Sequence, residues 1–312
     1  MQISKPFPHT APIKYLAHAR EGNQHLHICK NCRIFAERKQ TTNIKSLNQL
    51  IIMQKRHQDH TRYFNEQAEC MRRYVIPYIE QRCPVTADKR VLEIGCGEAG
   101  NLRPFLDLGC ECVGIDIDQP KIDSGKALFA DHPHADRMRL ICNDIYKVRP
   151  EDLGEFDIII LRDVIEHIPH QEQFMHNMKR FMNAKTVVFF GFPVWCNPFG
   201  GHQQVCRSKF LSHLPWMHLL PRPLYRGLLR LGHESEGTIN GLMDVKTTGI
   251  SIHRFEKILH NEHFRVLQHT HYLINPNYQI KFGLRPCTLP RLLQIPYISD
   301  FYTTAMYYLI AL

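Results

Sequence analysis

The sequence has no long apolar run. Its longest, FDIIIL and TVVFFGF, fall far short of the roughly twenty residues a bilayer-crossing helix needs. The opening MQISKPFPHTAPIKY also lacks the apolar stretch of a secretory signal, so a cytoplasmic protein is expected. No run of six or more Lys/Arg occurs, although the formal net charge is +9 and there are 20 histidines. The basic residues alternate with acidic ones, as on a solvated surface, and this disfavours nucleic acid as a partner. A disulfide scaffold is excluded too. A chain of 312 residues is too long for such a scaffold despite its eleven cysteines, and Cys96, Cys142 and Cys196 sit in or beside strand-like runs, where they read as small hydrophobes in a reducing compartment.

Residues 1–52 are polar and show neither a helical nor a strand period, so they are expected to form an extension without fixed structure. Met53, which opens the patterned segment, is an expected start codon. Within the extension, His25, His27, Cys29 and Cys32 have ligand chemistry. They lie too close together for the two separated pairs of a structural zinc site, and no metal is expected. From Met53, the residues Phe64, Ala68, Met71 and Val75 recur at helical spacing and predict a helical cap over 53–88.

From Lys89 short apolar runs alternate with helical stretches, the pattern of a doubly wound α/β fold with a mostly parallel sheet. Strands are predicted at RVLEIG, CECVGID, MRLICND, FDIIILR and TVVFFGF, with helices near NLRPFLDLG, PKIDSGKALFA and HQEQFMHNMKRFM. The interval of about 193–249 is rich in Pro, Gly and aromatics and reads as an inserted lid, in which PLYRGLLRLG can form an amphipathic helix. ISIHRFEKILHNEHF is a predicted helix, HFRVLQHTHYLI and YTTAMYYLIAL predicted strands, and 276–300 a predicted loop. Two successive strands without a helix between them cannot both be parallel neighbours, so one must run antiparallel. The expected domain therefore covers 89–312 with seven strands.

The turn after the first strand, Gly95-Cys96-Gly97-Glu98-Ala99-Gly100, is literally G-x-G-x-x-G. Such a turn lets a pyrophosphate approach a helix N-terminus, and an NAD(P)-dependent oxidoreductase is one reading. Glu93 opposes it, because a carboxylate at the strand end repels a pyrophosphate. A sulfonium cofactor carries positive charge instead and tolerates the acid.

The stretch LEIGCGEAGN resembles the E/D-x-G-x-G-x-G loop with which class I methyltransferases bind S-adenosylmethionine. The resemblance covers roughly 53–312 and is strongest over 89–190. It implies a Rossmann-like sheet ending in an antiparallel strand. It also implies cofactor contacts from Glu93, Gly95, Cys96, Gly97 and Gly100. Asp116 with Ile117 would meet the ribose, and Asp144 with Ile145 the adenine. A carboxylate accepts two hydrogen bonds from a vicinal diol or one from an exocyclic amine. The fourth strand leads into LRDVIEHIPH, which resembles the Glu-His segment of quinone-type methyltransferases; Arg162, Asp163 and His167 would line the pocket, with Glu166 and His167 opening the next helix.

The acceptor is less legible. Neither N/D-P-P-Y/F nor a Pro-Cys nucleophile follows the fourth strand, which weighs against nucleobase acceptors. After the fifth strand, GFPVWCNPFGGHQQ offers Trp195 and Phe199 to a substrate and His202 as a general base for a hydroxyl. The apolar lid points to a hydrophobic small molecule or lipid-like acceptor, methylated on O or C. It also admits peripheral membrane contact through a stripe of Arg222, Arg226 and Arg230, although simple packing of the lid is the favoured reading of that stripe. A non-catalytic relative that keeps the nucleoside pocket as a binding partner is the remaining alternative. Nothing in the sequence speaks to an oligomeric state.

Overall fold

The computed structural model describes residues 59–312. The expected extension, the His25/His27/Cys29/Cys32 cluster and Met53 lie outside the described residues. Helix α1 (His60–Cys70) begins at Asp59, whose side chain accepts from the Arg62 N–H, and runs through a π-helical turn, Met71–Val75, into α2 (Ile76–Glu80). Pro77 cannot donate to the preceding turn, and the widened π-turn just before it absorbs that loss. Phe64, Ala68, Met71 and Val75 are all buried, as their spacing predicts.

Behind this cap lies a sheet of β1 (Arg90–Ile94), β2 (Glu111–Asp116), β3 (Met138–Cys142), β4 (Ile158–Arg162), β5 (Val187–Phe192), β6 (Arg265–Ile274), β7 (Cys287–Thr288) and β8 (Ala305–Ala311). Their spatial order is β3-β2-β1-β4-β5-β8-β6-β7. The first five are parallel, and β8 pairs antiparallel with both β5 and β6. One strand beyond the expected seven exists, since two-residue β7 pairs with the edge of β6. Hydropathy cannot show so short a strand.

Side chains alternate across the sheet with period two. Leu92, Ile159, Leu161, Val188 and Phe190 face α5 (Gln171–Met178) and α9 (Ile252–Asn261). Val91, Ile158, Ile160, Val187 and Phe189 face α1 and α2, together with α3 (Arg103–Asp107) and α4 (Gln119–Phe129). Both faces are covered, which is why the central strands read as continuous apolar runs. Cys96 is buried in this core, whereas Cys142 and Cys196 are only half-buried.

The inserted segment is more ordered than its composition implies. It forms α6 (Lys209–His213), α7 (Arg222–Leu231) and α8 (Glu236–Thr248) around a small core of its own, which includes Leu211, Met217, Tyr225, Leu229, Ile239 and Leu242. Helix α8 carries Gly and three Thr, poor helix formers that its burial overrides. The expected basic stripe does not stand free: Arg222, Arg226 and Arg230 donate to Thr247, Asn240 and Glu236 of α8. The stretch 276–300, expected to be a loop, contains α10 (Pro276–Phe282), capped by the Asn275 side chain on the Asn277 N–H. Among the described residues no helix is long and apolar enough to cross a membrane.

Two stability tests follow. Trp195 is wedged with its ring edge on His218, and a Cβ at Gly249 would run into that ring. Gly249→Ala is expected to cost about 1–3 kcal/mol, measured by denaturant unfolding. Asp300, which accepts from the Ile252 N–H, has its carboxyl pushed up to about 6 by burial. A raised carboxyl stabilises the fold fully at pH below its ordinary value and loses that contribution as pH rises through 6. Asp300→Asn should therefore melt higher than the parent at pH 8, with the difference vanishing near pH 4.

Candidate functional site

In an open parallel sheet, ligands bind beyond the carboxyl ends of the strands where the strand order reverses. Here that point lies between β1 and β4. The turn after β1 is pinned by the N–H groups of Gly95 and Cys96, both donating to the Ile115 carbonyl. Gly95 and Gly97 take the left-handed backbone that glycine adopts without penalty (φ +73° and +57°). A Cβ at Gly95 would lie 2.8 Å from Val164 Cγ2, so the turn presses on the loop that follows β4. Gly100 serves a different contact: its Cβ would lie 2.7 Å from the Phe64 carbonyl of α1. The same helix reaches Glu98 through a His60 hydrogen bond. The Cys96 side chain packs under the turn against Gly114, leaving only its backbone to a ligand.

Asp116 closes the turn from the end of β2. One carboxylate oxygen accepts from the Gly97 N–H (2.7 Å) and the other from the Asp118 N–H (2.9 Å). Each oxygen has a second lone pair left for a further donor. Ile117 beside it is exposed. After β3, Asp144 accepts from the Tyr146 N–H at 3.0 Å, an Asx turn that holds Ile145 half-buried against the core. Asp116 and Asp144 thus arrive at neighbouring strand ends.

Glu93 is not presented at the strand end as expected; it is 1% exposed. Its Oε1 accepts from Asn101 Nδ2 (2.6 Å), Asn101 Oδ1 accepts from Arg162 Nη1 (2.8 Å), and Arg162 Nη2 donates to Asn277 Oδ1 on α10. Burial pushes the Glu93 carboxyl up to about 8, opposed by Asn101 and by the Arg162 charge. Its other oxygen is buried and has no partner among the described residues. Arg162, 6% exposed, is thus a link in a buried chain, whereas Asp163 next to it is exposed in a left-handed backbone (φ 56°). Sequence reasoning missed Asn101 and Asn277. Asn101 ends the glycine motif and was open to notice, while Asn277 lies far away in the chain and had no signal.

Beyond Asp163, Ile165–His167 form a 3-10 turn, and α5 begins only at Gln171. Glu166 and His167 therefore do not open a helix; the αL residue His170 and Pro169 separate them from it. The turn is clamped from two sides, since Gln171 Nε2 donates to the Ile165 and Thr248 carbonyls (2.9 and 2.6 Å) and Thr248 Oγ1 donates to the Glu166 carbonyl (2.6 Å). Glu166 is 3% exposed, and neither carboxyl oxygen has a hydrogen-bond partner among the described residues. Burial, with Asp163 nearby, holds its carboxyl well above the usual range. The lid brings His202 to the same place, its ring centroid 5.1 Å from that of His167. Burial, and then the neighbouring His202 and Lys121, push the His167 imidazole down to about 3; burial also lowers His202. Both rings are neutral near pH 7 and keep a free lone pair each.

Of the two aromatics expected at the substrate, Phe199 is half-buried in the loop that carries His202, whose N–H donates to the Phe199 carbonyl. Trp195 is instead part of the lid's packing. Its carbonyl accepts from His218 Nε2 (2.8 Å), and Lys246 Nζ lies 5.7 Å from its ring centroid. A Trp at the mouth of a lid gives no sign of which way its ring turns, so sequence could not separate the two.

Residues 64–215, just under half of the chain, match the family model described as a methyltransferase domain. A probable chloroplastic tocopherol O-methyltransferase of Oryza sativa subsp. japonica is 27% identical over 112 residues, 35% of this chain and 30% of the relative. A ubiquinone biosynthesis O-methyltransferase of Coxiella burnetii is 28% identical over 119 residues, 37% of this chain and 47% of the relative. The chain thus spans less than half the length of these curated relatives. Among solved structures, plantazolicin methyltransferase BpumL in complex with SAH aligns over 85% of this chain and 90% of its own, with 11% identity and a TM-score of 0.45. With the strand order, the reversed β8 and the glycine turn already in place, residues 64–215 of this chain are similar to a methyltransferase domain, on a sheet with the strand order of class I.

Proposed function

We propose that the chain transfers a methyl group from S-adenosylmethionine to an oxygen or carbon of a hydrophobic small molecule or lipid-like acceptor. The observation that carries the cofactor is the Asp116 carboxylate, joined by one oxygen to the Gly97 N–H of a left-handed glycine turn and still able to accept from a diol. The orphan Oε2 of Glu93 fits the same ligand, because a cation beside it would supply the countercharge that burial denies. When bound, the cofactor supplies an electrophilic methyl on a positively charged sulfur.

This chain's residues would divide the work as follows. Gly95, Cys96 and Gly97 offer backbone, Asp116 takes the ribose hydroxyls, exposed Ile117 and half-buried Ile145 flank the base, and Asp144 accepts from the exocyclic amine. Gly100 acts indirectly by letting α1 seat on the turn, and Arg162 by fixing Glu93 through Asn101. Asp163, His167, Phe199 and His202 lie on the acceptor side. The proton of a hydroxyl acceptor needs a destination, and the neutral imidazole of His202 is the group at hand.

A lipid-like acceptor is supported by the relatives, named for tocopherol and ubiquinone biosynthesis, and by large apolar side chains on the lid surface, Phe210, Leu224 and Leu231 among them. Such a surface also suits transient contact with a membrane from which the acceptor is drawn. The nicotinamide reading has no comparable support.

Calorimetry of the full chain with S-adenosylhomocysteine tests the cofactor. Binding is expected, and Asp116→Ala should weaken it by about tenfold to a hundredfold, the value of a charge-assisted hydrogen bond. Absent binding, or an affinity unmoved by the substitution, would refute the assignment. Turnover with a panel of phenols and prenylated quinols separates an enzyme from a pure nucleoside binder, which consumes no cofactor.

A further inference from the structure

Three donor groups converge where the β4 loop meets the lid. One oxygen of Glu166 and one nitrogen each of His167 and His202 lie within 4.8 Å of one another, with His167 Nε2 3.8 Å from Glu166 Oε1. A carboxyl so deeply buried, with both oxygens lacking a hydrogen-bond partner, is costly unless something outside the chain satisfies it. Among the described residues no side-chain donor does so.

We propose that Glu166, His167 and His202 bind a divalent transition-metal cation that takes an oxygen of the acceptor. Two imidazoles and one carboxylate on adjacent positions are a recurring ligand set for such ions, and three protein ligands leave open coordination sites. Donors on one cation, with bonds of about 2.0–2.2 Å, stand about 3–3.4 Å apart, so the widest pair must close by about an ångström and a half. Rotation of the His202 side chain supplies that movement. The other two ligands sit on the turn clamped by Gln171 and Thr248. Exposed Asp163 adds negative charge beside the site, where its field reaches both Glu166 and His202.

The location gives the ion its use. The turn carrying Glu166 begins next to Val164, which touches Gly95 of the cofactor loop. A cation there would hold a hydroxyl, or a vicinal pair of oxygens, and favour its deprotonated form, the proton passing to solvent. This narrows the acceptor to oxygen-bearing compounds able to chelate, such as a catechol or a hydroxyquinone. That narrowing rests on the methyl-transfer reading; the cation site itself does not. His202 then serves as a ligand, and the hydroxyl needs no protein base.

Cobalt(II) titration of the chelator-treated full chain, followed by visible absorption, tests the proposal. A single ion per chain with a d–d spectrum of nitrogen and oxygen ligation is expected. Glu166→Gln, which preserves shape, and His202→Ala should each weaken binding by at least about tenfold. Because Cys29 and Cys32 could take the metal, Cys29→Ser with Cys32→Ser serves as a control: it should leave the spectrum unchanged, and no thiolate charge-transfer band should appear. A spectrum that survives both Glu166→Gln and His202→Ala, no cobalt binding at all, or one abolished by the cysteine substitutions would overturn the site. S-adenosylhomocysteine calorimetry on the same samples keeps the two readings apart, since nucleoside binding should persist in Glu166→Gln. If the nucleoside fails to bind while cobalt behaves as expected, the transfer reading falls and the cation site stands.

Discussion

The charge on Arg162 cannot be buried alone. A guanidinium that deep in the protein must find hydrogen-bond acceptors, and leaving such a group unpaired costs about 3–5 kcal/mol. Its partners come from separate parts of the chain: Asn101 after the glycine turn, which in turn holds Glu93 of β1, and Asn277 at the start of α10. One polar line therefore joins the first strand, the turn, the fourth strand and the C-terminal region. The turn's backbone is shaped by its glycines, but its position relative to β4 depends on this line.

A second constraint acts from the other side. The lid has a core of its own, yet α8 reaches back through Thr248 to the carbonyl of Glu166. Trp195, Gly249, His218 and Lys246 lock the lid's entry and exit together. The segment that bears Glu166 and His167 is thus held between the sheet and the lid. His202 joins it only because Gly201 lets the chain pass closely over His218, where a Cβ would collide.

Much of this was open to a reader of the sequence, for reasons that differ from element to element. Strands β4 and β5 are buried on both faces and so appear as nearly unbroken apolar runs. The helical cap appears because its buried residues recur at one period. Strand β7 and helix α10 were hidden, the first being two residues long and the second resting on an Asn cap within a proline-punctuated stretch. Helix α8 was hidden by its threonines and glycines, whose low helix propensity is overruled by packing against α7.

By itself the sequence determined the class of sheet, the glycine turn and the acids at successive strand ends, because each is written in local periodicity or in residues near one another in the chain. Only the tertiary structure decided that Glu93 is buried rather than presented, that Trp195 lies against His218 and Lys246, and that Glu166, His167 and His202 meet. Those outcomes depend on contacts between segments dozens of residues apart, and on the cost of burying charge, neither of which a local pattern records.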